Sequence, residues 1–185
     1  MPTMELVSIV NQLLSLLTLV GQLIMATLIV LFLIKRNWLL DFLAKHALAF
    51  SFTVALFAAL GSLFYSEIAG YEPCKLCWFQ RILMYPQVIL FGVALFKKDN
   101  NIFPYGAVLS FLGVLLAGYH YLLQIGVAPS VSCLAVGQSV NCSQRFVMQL
   151  GYITFPMMAL TAFLLILSFH ISRKISSAPK CTPLS

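Results

Sequence analysis

The chain alternates long hydrophobic stretches with short polar connections. Segments without a charged side chain cover residues 6–34, 47–66, 82–96, 100–144 and 146–172. A helix needs about 20 apolar residues to cross a membrane. The first, second and last of these segments therefore each predict one spanning helix.

The other two segments have unsuitable lengths for one span each. Residues 82–96 are too few, so we expect their helix to begin near Cys77 and to carry Arg81 about one turn inside the membrane. Residues 100–144 are too many, and their second half contains Pro129, Gly137 and Asn141, which favour a loop. The pattern predicts five helices, near residues 9–34, 47–69, 77–96, 104–125 and 151–172.

Composition supports an integral membrane protein and excludes a water-soluble domain. Only 9% of the 185 residues are charged and 61% are hydrophobic, whereas an average soluble domain has roughly a quarter of its residues charged. A soluble chain of this size has too much surface for its volume to bury so much apolar area. The formal net charge is +6, but the basic residues are scattered between hydrophobic stretches, which argues against a nucleic-acid-binding surface.

Basic residues predict the orientation in the membrane, because cytoplasmic loops carry an excess of Lys and Arg. One side of the predicted topology carries Lys35, Arg36, Lys45, Lys97, Lys98, Arg173, Lys174 and Lys180. The other side is neutral overall, with Lys75, Arg81 and Arg145 against Glu5, Glu67 and Glu72. We therefore expect the C-terminus to be cytoplasmic, and the N-terminus and the loops at 70–77 and 126–150 to lie outside. The first helix has no basic region before it, so we expect it to remain as an uncleaved anchor.

Four of the five cysteines fall in the two predicted outer loops. Cys74 and Cys77 share the first loop, Cys133 and Cys142 share the second, and Cys181 lies in the cytoplasmic tail. Thiols pair in oxidising compartments and stay reduced in the cytoplasm. The distribution therefore predicts two thiol pairs outside and one reduced thiol inside. Successive thiol–disulfide exchanges between two such pairs could carry electrons from a soluble dithiol to the membrane edge.

The Cys-x-x-Cys motif at residues 74–77 opens the third predicted helix. The positive end of the helix dipole would stabilise a thiolate at Cys77. Arg81 lies four residues further on and projects from the same helix face. A charge inside the membrane is costly unless it has a use. The alternative interpretation is an arginine that extends to the membrane surface beside a structural disulfide.

His120 is predicted near the outer end of the fourth helix, at the level of Arg81. A histidine between two tyrosines also fits an aromatic belt at the membrane interface. Together with the thiol pair and Arg81, however, it predicts a pocket for a flat, apolar, carbonyl-bearing electron acceptor. We expect Trp78, Phe79 and Tyr85 to supply the walls of that pocket.

Residues 72–86, Glu-Pro-Cys-Lys-Leu-Cys-Trp-Phe-Gln-Arg-Ile-Leu-Met-Tyr-Pro, resemble the signature of the DsbB family of membrane disulfide oxidoreductases. The motif is most similar to the short-loop, BdbC-like branch of that family. The resemblance implies an all-α integral membrane fold with a DsbB-type four-helix core at residues 47–174. One additional transmembrane helix and its connection occupy residues 1–46, and a cytoplasmic tail occupies residues 175–185.

The resemblance also implies an activity. Members of the family reoxidise a thioredoxin-fold thiol oxidase outside the cytoplasm and pass the electrons to membrane quinone, here ubiquinone or menaquinone. The implied location is the bacterial cytoplasmic membrane, and the implied reaction needs no metal. Arg81 and His120 match the quinone-contacting residues of the family.

The family pattern implies a role for each cysteine of the two loops. Cys77 is the thiolate that meets the quinone, and Cys74 is its disulfide partner. Cys133 forms the mixed disulfide with the soluble partner, and Cys142 resolves it toward Cys74. Only eight residues separate Cys133 from Cys142, which is shorter than in the proteobacterial members. The pattern implies no role for Cys181.

Three other functions use similar features. A quinone-linked enzyme that runs in the reducing direction, like the vitamin K epoxide reductases, would need the same thiols and the same pocket. A zinc site built from the four outer cysteines is disfavoured, because zinc sites use closer ligand pairs than residues 133 and 142. A transporter or scaffold with two structural disulfides predicts no electron transfer at all.

Overall fold

Five hydrophobic helices make up most of the described chain. The computed structural model describes residues 2–34, 37–99, 101–127, 142 and 147–176. Its helices are α1 (Pro2–Ile34), α2 (Asn37–Leu63), α3 (Lys75–Lys97), α4 (Phe103–Gln124) and α5 (Phe155–Ser176). All five are long and apolar enough to cross a membrane. The prediction of an all-α membrane protein with five spans is confirmed.

The first three helices begin earlier than their hydrophobic segments predict. α1 begins at Pro2 rather than near residue 9, α2 at Asn37 rather than near residue 47, and α3 at Lys75 rather than at residue 77. The predicted starts of α1 and α2 were wrong because hydrophobicity marks only the part of a helix that lies in lipid, whereas the start predicted near residue 77 for α3 is correct to within two residues. The backbone hydrogen bonds of a helix continue through the polar residues beyond it.

α5 begins later than predicted, at Phe155 rather than near residue 151. Before it, the Gln149 N–H donates to the Ile153 carbonyl at 3.0 Å, and the Ile153 N–H donates to the Gln149 carbonyl at 2.9 Å. Leu150 and Gly151, between them, have φ angles of 54° and 79°. A right-handed helix cannot contain this conformation, so the helix starts only after the turn closes.

α5 is the central helix of the bundle. It packs against α1, α2 and α4, while α3 packs against α2 and α4. In the most apolar stretch of α5, 50% of the residues are buried, whereas 22% are buried in the most apolar stretch of α1. α1 therefore lies at the periphery, against α2 and α5, and the other four helices form the interior.

Close helix contacts in the interior depend on small residues of α4. Gly113 lies directly against the ring of Phe163, and Gly106 lies against the ring of Phe91. Both phenylalanines are fully buried. Glycines at helix contacts allow this close approach in lipid, where packing has to replace the hydrophobic driving force.

One end of the bundle, which we call the cysteine end, contains Cys74, Cys77 and Cys142. There α2 runs into a π-helical turn at Phe64–Ile68, and Gly70, with φ of 70°, reverses the chain. A short extended segment then leads to Cys74, which caps the N-terminus of α3.

Candidate redox site

The Cys-x-x-Cys motif lies where the sequence predicts it, at the start of α3. Cys74 is the N-cap residue with an extended backbone, φ −68° and ψ 169°, and its carbonyl accepts the Trp78 N–H at 3.1 Å. Cys77 follows within the first helical turn. The two Sγ atoms are 3.3 Å apart, so the structure shows the pair as a dithiol whose sulfurs already lie side by side.

A hydrogen bond distinguishes the two thiols. The Cys74 thiol donates to Cys77 Sγ, and this bond, together with burial, raises the pKa of Cys74 to about 12. Cys74 therefore keeps its proton, and Cys77 is the sulfur that accepts. Cys77 lies in the first turn of α3, where the positive end of the helix dipole favours a thiolate.

Cys142 lies in the same cluster as Cys74. Both side chains are buried, with 2% and 4% of their surface exposed, and they share a small apolar cluster with Leu123. The fold thus places a cysteine of the second loop beside the membrane-edge pair. Its predicted partner Cys133 lies outside the described residues, as does Cys181.

His120 connects the two cysteine loops. Its Nε2 lies 3.2 Å from the Cys142 carbonyl oxygen and 3.7 Å from Cys74 Sγ. Only 1% of the residue is exposed, so the alternative of an aromatic belt at the interface is wrong. The histidine reaches the level of the cysteine pair, as its position on α4 predicts.

Gln80 is a site residue that the sequence analysis missed. Its amide nitrogen lies 3.0 Å from His120 Nδ1, and the side chain is buried. With that amide as donor, Nδ1 accepts and the ring proton sits on Nε2, which then donates to the Cys142 carbonyl. The sequence could have indicated this role, because Gln80 is a polar residue inside a membrane span, three residues after Cys77. A polar side chain at such a position needs a hydrogen-bond partner.

Arg81 is held by α2. Its Nε donates to Ser62 Oγ at 2.8 Å and its Nη2 donates to the Ser62 carbonyl at 2.9 Å. The guanidinium also lies over the Trp78 ring, 5.4 Å from its centroid. No sequence signal links Ser62 to Arg81, because the contact joins two different helices.

A cavity of about 370 Å³ adjoins these groups. Cys74, Cys77, Gln80, Arg81 and His120 line it at the cysteine end, and mostly apolar side chains of α1, α2, α3 and α5 line the remainder. Of the three aromatic residues expected as walls, Tyr85 contributes. The expectation for Trp78 and Phe79 was wrong, because neither lines the cavity and both are about half exposed.

The same cluster could also hold a metal ion. Cys74, Cys77 and His120 each offer one ligand atom, and these atoms lie within 4.8 Å of one another. Two thiolates and an imidazole are a donor set that suits Zn²⁺. This combination differs from the four-cysteine site considered from the sequence.

Comparison with known proteins agrees with the chemistry of the site. The family model of the disulfide bond formation protein DsbB matches residues 44–172. A probable disulfide formation protein of Oceanobacillus iheyensis is 43% identical over 69% of this chain and 88% of its own length. Disulfide bond formation protein C of Bacillus subtilis is 43% identical over 64% of this chain and 86% of its own length. No solved structure gives a significant match. The chain belongs to the DsbB family of disulfide bond formation proteins, as the motif around Cys74 and Cys77 predicts.

Proposed function

We propose that this chain is a quinone-dependent thiol–disulfide oxidoreductase of the bacterial cytoplasmic membrane. It reoxidises a thioredoxin-fold thiol oxidase and so supports disulfide formation in exported proteins. One observation carries the proposal: a largely apolar cavity ends at the Cys74–Cys77 pair, and Cys142 of the other loop packs against that pair. The cysteine end, in this proposal, faces the outside.

The first step is exchange with the soluble partner. A partner thiolate attacks Cys133 of the Cys133–Cys142 disulfide, which forms a mixed disulfide and releases Cys142 as a thiolate. The second partner thiol then attacks the mixed disulfide and leaves as the oxidised partner. Two electrons and two protons have now moved from the partner to the loop pair.

The second step moves these electrons to the membrane-edge pair. The Cys142 thiolate attacks Cys74 of the Cys74–Cys77 disulfide, and Cys77 leaves as a thiolate. Attack by Cys133 on the Cys74–Cys142 bond then restores the loop disulfide and leaves Cys74 and Cys77 reduced. The burial of Cys142 beside Cys74 supports this route, and the His120 bond to the Cys142 carbonyl holds the attacking residue in place.

The reduced pair is arranged to lose electrons through Cys77. Cys74 retains its proton and donates a hydrogen bond to Cys77 Sγ, so negative charge collects on Cys77, which lines the cavity. Arg81, fixed on Ser62 by two hydrogen bonds, supplies a positive charge in the same cavity. A fixed cation in a site shielded from water stabilises developing negative charge strongly.

The cavity fits a quinone. It has the volume of a typical small-molecule site, mostly apolar walls and a few polar groups at one end. Arg81 would hold a ring carbonyl through the guanidinium N–H groups that Ser62 does not use. His120 lines the same end of the cavity, and apolar residues would enclose the ring. A bound quinone would supply the two-electron, two-proton oxidation that restores the Cys74–Cys77 disulfide.

Turnover with purified components tests the proposal. The protein, in lipid nanodiscs, is mixed with a reduced thioredoxin-fold partner and with ubiquinone or menaquinone, and quinone absorbance is followed against loss of partner thiols. We expect one quinone to be reduced for each partner dithiol oxidised. Cys77→Ser should abolish this reaction, whereas Cys181→Ser serves as the matched control and should not change it. Normal turnover by Cys77→Ser, or electron flow only from quinol to partner disulfide, would refute the proposal.

A further inference from the structure

α1 contributes a wall to the cavity, although it lies outside the segment that matches the DsbB family model, residues 44–172. The lining residues of α1 extend from Leu14 to Ile24. At a rise of about 1.5 Å per residue, this stretch is roughly 15 Å long. The cavity is therefore elongated along α1 rather than confined to the neighbourhood of the cysteines.

The other two walls have similar lengths. α2 lines the cavity from Thr53 to Ser62, and α5 lines it from Phe155 to Leu165. The charged and amide groups, including Arg81, lie at the cysteine end, and the deeper walls are mostly apolar, with one threonine each from α1, α2 and α5. We call this cavity the trough. Its shape suits a ligand with a polar ring at one end and a long apolar chain at the other.

Close packing sets the position of α1 along the trough. Gly61 of α2 lies against Leu14 of α1, and Gly21 of α1 lies against Leu165 and Thr161 of α5. A Cβ atom at Gly21 would lie 2.9 Å from Leu165 Cδ1, and one at Gly61 would lie 3.2 Å from Leu14 Cδ1, so either change requires the leucine side chain to shift. These small residues let α1 approach α2 near the cysteine end and α5 further along.

Two hydrogen bonds fix the rotation of α1. The Tyr65 hydroxyl donates to Asn11 Oδ1 at 2.6 Å, and the Tyr152 hydroxyl donates to Gln22 Oε1 at 2.9 Å. Tyr65 belongs to the π-helical turn that precedes the Cys-x-x-Cys motif. Interhelical hydrogen bonds of this kind select one helix face in a membrane, where packing alone has little directionality.

We infer that α1 is part of the acceptor site and that it encloses the apolar chain of a prenyl or alkyl quinone. The inference rests on the proposed function, because it takes a quinone as the ligand. It adds that this chain binds long-chain quinones through a helix that the matched family segment does not include. Leu17 and Ile24, seven residues apart on the face of α1 that lines the trough, are the residues expected to contact the chain.

Neighbouring residues on α1 provide matched controls. Leu16 and Leu23 are 62% and 68% exposed, and they do not line the trough. We compare Leu17→Trp with Leu16→Trp, and Ile24→Trp with Leu23→Trp. Each pair adds the same side chain to the same helix at adjacent positions, once into the trough and once toward lipid.

Equilibrium binding to the oxidised protein in nanodiscs gives a readout that does not depend on turnover. The two probes are a decyl benzoquinone and the same ring without the chain. We expect Ile24→Trp and Leu17→Trp to bind the decyl compound about tenfold more weakly than their controls, which corresponds to about 1.4 kcal/mol. Ile24→Trp and Leu23→Trp should bind the ring alone equally well. Partition of the probes into lipid cancels, because both members of a pair are measured with the same probe.

Each outcome distinguishes the two proposals. Equal binding of the decyl compound by both members of both pairs overturns the role of α1 and leaves the proposed function standing. Wild-type protein that binds neither probe overturns the proposed function, and the inference about α1 with it. If Ile24→Trp does not fold, the pair at positions 16 and 17 decides the result.

Discussion

The substitution Gln80→Leu tests whether the buried polar contacts at the cysteine end control thiol exchange. Leucine has nearly the volume of glutamine, so the change removes the amide and keeps most of the packing. Gln80 supplies the donor to His120 Nδ1 at 3.0 Å, and the other ring nitrogen holds the Cys142 carbonyl at 3.2 Å. Without the amide, the ring can change its tautomer, and Nε2 then no longer donates to Cys142.

The size of the effect follows from the burial of these groups. A buried acceptor that loses its hydrogen-bond partner costs about 1 to 3 kcal/mol, and His120 is only 1% exposed. If that free energy also appears in the transition state for exchange, the rate should fall by about 5- to 150-fold, since about 1.4 kcal/mol corresponds to a factor of ten. The global stability should fall by a similar free energy.

Gln87→Leu is the matched control. Gln87 lies two helical turns further along α3, is fully buried, accepts the Ser110 hydroxyl at 3.0 Å and donates to the Leu83 carbonyl at 3.1 Å. Its loss should destabilise the bundle by a comparable free energy without reaching the cysteines. The two variants therefore separate a general loss of stability from a specific effect on exchange.

The assay mixes oxidised protein with a reduced thioredoxin-fold partner, quenches with acid at short times, and alkylates free thiols for mass spectrometry. Labelling at Cys74 and Cys77 reports when electrons reach the membrane-edge pair. The unfolding midpoint in SDS reports stability. We expect slow labelling only in Gln80→Leu and reduced stability in both variants. Wild-type exchange by Gln80→Leu, or equally slow exchange by Gln87→Leu, would refute the positioning role of Gln80.

Three further outcomes follow from the site geometry. Ser62→Ala removes one of the two hydrogen bonds that hold Arg81, so the KM for quinone should rise about fivefold, for a loss of about 1 kcal/mol. The rate of exchange with the partner should not change, and an unchanged KM would contradict the role of Ser62. Because the pKa of Cys74 is raised to about 12 from 9.0, its alkylation rate should still increase from pH 9 to pH 11, and a plateau near pH 9 would contradict the hydrogen bond to Cys77. Reduced protein should bind one added Zn²⁺ through Cys74, Cys77 and His120, whereas oxidised protein should bind none. Elemental analysis of both states after dialysis measures the bound zinc, and equal zinc in the two states would exclude this site.

The sequence predicts those features that depend on short segments of the chain. Five spans follow from hydrophobic length, and the position of Cys77 in the first turn of α3 follows from a local motif. The helix starts were less predictable, because hydrophobicity does not mark where backbone hydrogen bonding begins. For α5 the start depends on the left-handed Leu150 and Gly151. Glycine signals that conformation, but leucine does not.

The contacts that organise the site could not be predicted, because they join distant parts of the chain. Gln80 and His120 are 40 residues apart, and Arg81 and Ser62 are 19 residues apart. Hydrophobic patterns indicate that α3 and α4 are spans without indicating which faces meet. Helix spacing predicts that Arg81 and His120 belong to the candidate site, and the family resemblance supports this. The residues that orient them are determined by helix packing and could not be predicted.

The position of the cysteine pair between two phases explains why its neighbours differ in chemistry. In the proposed function, a water-soluble partner approaches from the cysteine end, where Cys142 packs beside Cys74. A lipid-soluble acceptor would approach through the trough, which both sulfurs of the pair, Arg81 and His120 line at this end. A hydrogen bond from the Cys74 thiol to Cys77 Sγ connects the two sulfurs of the pair. In the proposed function, this bond keeps the proton on the sulfur that Cys142 attacks and places negative charge on the sulfur that meets the acceptor.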